Sequence, residues 1–274
     1  MPVARPAPLN QFPIAAARAA LGVMTDIDDT LTTDGAITPD ALDALARLRG
    51  AGLPVIAITG RPMGWSLPFA REWPVAGIVA ENGAVALLPD GRVDYVQDEP
   101  TRRRNALRLQ AVAARVLAEV EGARLARDSA GRVTDIAIDH AEFAQLAPAA
   151  IERVLAIMRS EGMNASVSSI HINGWFGDHD KTSGARWIAR RLYGRHLDDE
   201  IDRWVYVGDS TNDQAMFEAF ALSVGVANLM QFADRLSVWP AYLTQAERGA
   251  GFAEVAGMLL AVRVAAEGPE ISDR

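Results

Sequence analysis

The stretch GVMTDIDDT (22–30) is a short apolar run that ends in three carboxylates within four residues: Asp26, Asp28 and Asp29. Apolar residues that stop abruptly at acids read as a buried strand whose carboxyl end opens onto a crevice. A helix follows. Thr38-Pro39-Asp40 opens it, with Thr38 placed to cap, Pro39 suited to the first turn and Asp40 to the positive end. Leu42, Leu45 and Leu48 are expected to line its buried face, and Gly50 to close it. LPVIAIT (53–59) is then apolar throughout, as expected of a strand covered on both faces of a parallel sheet, and VAGIVA (75–80) repeats the theme. Strand, helix and strand in succession predict a doubly wound α/β core with a Rossmann-like parallel sheet.

Beyond ENGA (81–84) the pattern changes. Strand-like pieces occur near 85–88 and 92–96, and a long amphipathic helix from about Arg103 to Glu121 sets Val112, Val116 and Val120 in register. RVTDIAID (132–139) alternates, a helix is expected near 149–161, and ASVSSIHI (165–172) reads as strand. This mixture predicts an antiparallel α+β module. After Lys181 the first pattern resumes, with a helix near 183–193, WVYVGD (204–209) as a buried strand, a helix over 211–220 and ALSVGV (221–226) as another strand. The expected organisation is a catalytic core at 1–84 and 181–274 with an inserted α+β cap at 85–180. The polar end EGPEISDR (267–274) is expected to fray.

Composition narrows the function. Of 274 residues 50% are hydrophobic and 23% charged, an ordinary globular mix, and a net charge of −8 disfavours nucleic acid as a partner. There is no cysteine, which excludes disulfides and thiolate chemistry. No run is apolar enough to span a membrane, and the Ala-rich start, interrupted by Arg18, is not expected to be a cleaved signal peptide, so the cytoplasm is the expected location. Among 27 basic residues a single one, Lys181, is lysine; only it offers a compact ammonium.

Three clustered acids repel one another unless a cation joins them, and hard carboxylate oxygens select Mg²⁺. A second acidic strand end, Asp209 in WVYVGDSTND, is followed four residues later by Asp213. In an open α/β sheet, ligands gather outside the carboxyl ends of the strands, so the two ends can face one crevice. Thr59-Gly60, closing LPVIAIT, offers a hydroxyl and an open backbone N–H to an anion. Lys181 stands at a helix start, where a positive charge is better explained by a local anion than by the helix. The lone histidines His140, His171, His179 and His196 have no metal spacing; of the tryptophans, Trp175 alone is suspected of touching substrate.

DIDDT, Thr59-Gly60-Arg61, Lys181 and GDSTND, in that order, resemble the four motifs of the haloacid dehalogenase superfamily. ENGA and Ala227-Asn228-Leu229 resemble its subfamily IIB, of Cof-type and sucrose-phosphate phosphatase-like enzymes, with a large cap between the second and third motifs. The resemblance implies a phosphatase with Asp26 as nucleophile and Asp28 as acid and base. It places Mg²⁺ on Asp26, the Asp28 backbone carbonyl and Asp209, with Asp213 and Asn212 holding its water shell. Thr59, Gly60, Arg61 and Lys181 would bind the substrate's phosphoryl group. Asp29 departs from the pattern, since many members have Gly there. The implied substrate is a small phosphorylated metabolite, a sugar phosphate above all. A phosphomutase of the same superfamily is the alternative; a phospho-acceptor signalling domain is disfavoured, because it lacks a late GDxxxD and a cap.

Overall fold

The computed structural model describes residues 5–264; the expected fraying at 267–274 lies outside the described residues. Nine strands form one sheet in the order Ala7–Pro8, Tyr242–Leu243, Leu222–Gly225, Trp204–Gly208, Gly22–Thr25, Val55–Ile58, Gly77–Ala80, Val85–Leu87 and Val93–Tyr95. The first seven run parallel; the last two are added antiparallel.

Apolar side chains leave both faces of this sheet. Val23, Val55 and Val205 pack on one side, against the helices Pro39–Gly50 and Arg248–Val264. Met24, Ile56 and Tyr206 pack on the other, against Lys181–Tyr193 and Gln214–Ala219. Two covered faces account for the uninterrupted apolar runs, and the fold is the doubly wound α/β class expected.

Helix Pro39–Gly50 differs in detail from its sequence reading. Leu45 and Leu48 are buried beside Ala41 and Ala44, whereas Leu42 is exposed, because positions 41, 44, 45 and 48 fall on one helical face and 42 lies outside it. Thr38 is the N-cap residue, yet its hydroxyl accepts no capping hydrogen bond. The chain reverses through Ala51 and Gly52, not Gly50, with Gly52 taking the left-handed backbone (φ 70°).

The segment that follows ENGA begins with two strands of the large sheet. Val85–Leu87 and Val93–Tyr95 continue the large sheet, pairing antiparallel from Gly77–Ala80. A second, four-stranded antiparallel sheet lies beyond them, in the order Asn164–Val167, His171–Trp175, Asp135–Asp139, Arg124–Leu125. Helices Glu99–Glu119 and Pro148–Ser160 cover it through Val112, Val116, Val154 and Met158, which meet Ile138 and Ile172. We call this layer, Glu99 to Trp175, the cap.

The ENGA turn joins the two layers. Glu81, Asn82 and Gly83 all have positive φ (50°, 56° and 109°), and Gly83 lies against the backbone of Asp180 where helix Lys181–Tyr193 begins. A Cβ at position 83 would overlap the Asp180 carbonyl. Gly83→Ala is therefore expected to cost about 3 kcal/mol from strain and overpacking together; a urea midpoint within error of wild type would show that the turn yields freely.

Candidate active site

Asp26, Thr59 and Asp209 follow three adjacent parallel strands, Gly22–Thr25, Val55–Ile58 and Trp204–Gly208, so all three emerge at one sheet edge. Each is almost fully buried. Lys181, first residue of its helix, sends Nζ into the same place and donates to Asp26 Oδ1 and Asp213 Oδ1, both at 2.7 Å. The helix start is held by Asp180, whose carboxylate accepts from the Ser183 N–H at 2.6 Å. Asp180 thus serves as cap, which frees the lysine to reach inward.

Asp213 is saturated. Its Oδ1 also accepts from the Tyr206 hydroxyl at 2.5 Å, and its Oδ2 from the N–H groups of Asp209 and Ser210 at 3.0 and 3.2 Å. Asp209 is different. Among the described residues its oxygens meet only the Thr30 hydroxyl at 3.5 Å and the Asn228 amide at 3.4 Å, long for hydrogen bonds. Burial, with Asp26 and Asp213 close by, pushes its carboxyl well above the ordinary range. Burial likewise raises Asp26 to about 7, against the pull of Lys181 and helped by Asp213 and Asp28.

Ligand oxygens of Asp26, Asp209 and Asp213 lie within 4.8 Å of one another. Two buried carboxylates with acceptor capacity to spare, and only oxygen donors, fit a hard divalent cation such as Mg²⁺. Asp213, already carrying four donors, fits better as the buttress that holds Lys181 and the loop Asp209–Ser210. Asn212 accepts from the Ser210 hydroxyl at 2.7 Å, and the Asp28 carboxylate turns to Arg61, so neither side chain belongs to this cluster.

Thr59 Oγ1 accepts from the Arg61 N–H at 3.0 Å, while the Gly60 carbonyl accepts from Arg132 at 2.9 Å and Asn173 at 3.2 Å. Asp29 has φ 54°, a left-handed backbone that glycine adopts freely, which is the physical reason Gly suits this place.

Arg61 departs furthest from expectation. Its Nε donates to Asp28 Oδ1 at 2.8 Å, Nη1 to Asp128 Oδ2 at 3.1 Å and Nη2 to Glu142 Oε1 at 2.8 Å. Glu142 also accepts from His171 Nε2 at 2.8 Å. Burial opposes ionisation of Glu142, yet the His171 hydrogen bond and the Arg61 charge outweigh it and hold its carboxyl down at about 2. A carboxyl lowered on folding adds stability that is present above its ordinary pKa and lost as pH falls. Acid should therefore loosen this contact between about pH 4.5 and 2, and Glu142→Gln should flatten that part of the thermal-melting profile. An unchanged acid limb in the variant would remove Glu142 as its origin.

Several contributors, among them Glu81 of ENGA and Asn228 of Ala227-Asn228-Leu229, carry no role read from the sequence. Glu81 accepts from the N–H groups of Met63, Val133 and Thr134 and from the Thr134 hydroxyl, binding core to cap. Tyr206 and Asn228 reach the acids from strand and loop. A cleft of about 530 Å³ opens beside Asp28, walled by Trp65, Arg61, Glu142, Phe143, Ile170 and Arg248 among others. Trp65, not Trp175, is its tryptophan: Trp175 is buried and donates to the His179 carbonyl at 2.7 Å.

A family model for haloacid dehalogenase-like hydrolases matches residues 23–110, the segment that carries Asp26, Thr59, Arg61 and ENGA. Over that segment the chain resembles the haloacid dehalogenase-like hydrolases. A phosphoglycolate phosphatase from Pyrobaculum neutrophilum is 28% identical to this chain over 250 residues, covering 87% of this chain and 95% of the relative. Among solved structures, a Thermoplasma acidophilum protein aligns with TM-score 0.66 at 17% identity, covering 88% of this chain and 98% of its own. The sucrose-phosphatase of Synechocystis sp. aligns with TM-score 0.63 at 18% identity, covering 87% and 97%. At such identities the structural likeness speaks for the fold. No helix among the described residues is long and apolar enough to cross a membrane.

Proposed function

We propose that this protein is a Mg²⁺-dependent phosphomonoesterase acting on a small phosphorylated metabolite, a sugar phosphate in the first place. The observation that carries the reading is Lys181: an ammonium 2.7 Å from the Asp26 carboxylate at a buried sheet edge can neutralise charge next to a nucleophile. Asp26 would attack phosphorus, forming its Oδ–P bond as the ester P–O bond breaks. Asp28 would give its proton to the departing oxygen, then take one from the water that attacks the aspartyl-phosphate, releasing phosphate and restoring both acids. Thr59, Gly60 and Lys181 would hold the phosphoryl oxygens. Asp26, Asp209 and the Asp28 backbone carbonyl would hold the cation, which supplies charge neutralisation at the phosphoryl oxygens when bound. The cap would close over the cleft and keep bulk water out.

The cleft supports the proposed substrate class. At about 530 Å³, with an aromatic wall from Trp65 and Phe143 and carboxylates that accept hydroxyl hydrogen bonds, it suits a polyhydroxylated leaving group larger than a two-carbon acid. Phosphate release from p-nitrophenyl phosphate and a panel of sugar phosphates, with Mg²⁺ and with EDTA, tests the reading. Metal-dependent hydrolysis is expected; no release from any ester with Mg²⁺ present would refute it. Turnover restarted by a sugar 1,6-bisphosphate without accumulation of phosphate would instead identify a phosphomutase.

A further inference from the structure

Arg61 is the point at which the acid of the core meets the acids of the cap. Its side chain is 5% exposed, and each of its three nitrogens is taken by a carboxylate from a different segment: Asp28, Asp128 and Glu142. The two cap acids are themselves anchored. Asp128 accepts from Arg132 at 3.3 Å, and Arg132 also grips Asp135 and the Gly60 carbonyl at 2.9 Å. Glu142 is fixed by His171. The Arg61 guanidinium further lies 4.9 Å from the Trp65 ring, which limits its swing.

The charge arithmetic gives this contact a consequence. Asp28, Asp128 and Glu142 are largely shielded from water, and without a cation between them they would repel one another and push the cap from the core. A planar fork can satisfy three carboxylates in three directions, whereas an ammonium cannot reach them all. The same fork that lets the cap close also takes hold of Asp28 through Nε, at 2.8 and 3.0 Å to its two oxygens.

We propose that Arg61 is a positioning residue that aims the Asp28 carboxyl at the leaving-group oxygen when the cap is closed, with Asp128 and Glu142 as the cap's half of the latch. The inference rests on the phosphatase reading above and goes beyond it. It departs from the phosphoryl-binding role that the family resemblance implies for Arg61. Cap closure and the readiness of the acid are then one event, so proton donation is withheld until the leaving group is enclosed.

The test exploits the leaving group. A sugar alkoxide needs a proton as it departs, whereas p-nitrophenolate leaves without one, so a misaimed acid slows aspartyl-phosphate formation from the first ester only. Water attack on the intermediate is common to both, and kcat/KM, which reports the steps through leaving-group departure, separates the two. In Arg61→Ala and Arg61→Lys, kcat/KM for a sugar phosphate should fall about 10²-fold, the size of a general-acid contribution. For p-nitrophenyl phosphate the loss should be at least about ten times smaller. The cap-side double variant Asp128→Asn, Glu142→Gln leaves Arg61 and Asp28 in place and guards against a folding failure at position 61; it should show the same selective loss in kcat/KM. Equal losses in kcat/KM on both esters would make Arg61 a phosphoryl ligand and overturn the proposal. So would a double variant that hydrolyses both esters like wild type. Failure of the underlying reading is distinguishable, because wild type would then release phosphate from neither ester.

Discussion

Asp26→Asn should lower phosphate release about 10⁴-fold or more while the protein stays folded, since an amide oxygen cannot replace a nucleophilic carboxylate. The substitution keeps the side chain's shape, and the Asp26 N–H still donates to the Val207 carbonyl at 2.9 Å. Lys181 keeps Asp213 at 2.7 Å. The effect on stability has a definite sign. Burial lifts the Asp26 carboxyl to about 7 in the fold, above its ordinary 3.8. A carboxyl raised in this way contributes stability that is full below its ordinary pKa and is lost as pH rises through the folded value. Above about pH 7, without added metal, Asn at this position should therefore match or exceed wild type in melting temperature. Steady-state kinetics and melts on the same preparation check both halves; turnover near wild type would remove Asp26 as the nucleophile.

Lys181→Ala is expected to act on both activity and stability. Turnover should fall about 10²-fold or more, as on loss of one preorganised charge at the transferring group. Burial alone would favour the neutral amine, yet Asp213 and Asp26 outweigh it and keep Nζ protonated. Removing it leaves two buried carboxylates facing each other without a counter-charge, a change that costs about 3–5 kcal/mol when a buried pair is broken. A solvated lysine at a helix start would instead change stability by only a few tenths of a kcal/mol, and Lys181, at 4% exposure, is not solvated. Lys181→Arg should recover little of the turnover, because a broad guanidinium cannot take the place of an ammonium wedged between two carboxylates. Wild-type kinetics in Lys181→Ala would remove the lysine from the site and weaken the phosphatase reading with it.

The parts of this protein legible in the sequence are those governed by neighbours along the chain. Apolar runs such as LPVIAIT need only their own composition to report a strand covered on both faces, and the acids after GVMT and WVYVG mark strand ends wherever the strands lie. Asp26, Thr59, Lys181 and Asp209 were therefore readable as candidates, each at the end or start of an element. The tertiary structure alone decided what these candidates touch. Whether Val85–Leu87 extends the large sheet or opens the cap depends on a pairing with Ile78–Ala80, which its own three residues do not encode. The saturation of Asp213 needs Tyr206, Lys181 and two backbone N–H groups to converge on one carboxylate. Arg61 stands one residue beyond Thr59-Gly60, which suggests a ligand for phosphate, yet its guanidinium is committed to Asp128 and Glu142, 67 and 81 residues downstream. No period or spacing ties residues so far apart; only the closing of the cap over the sheet edge brings those charges to one place, where their mutual attraction and repulsion then fix each role.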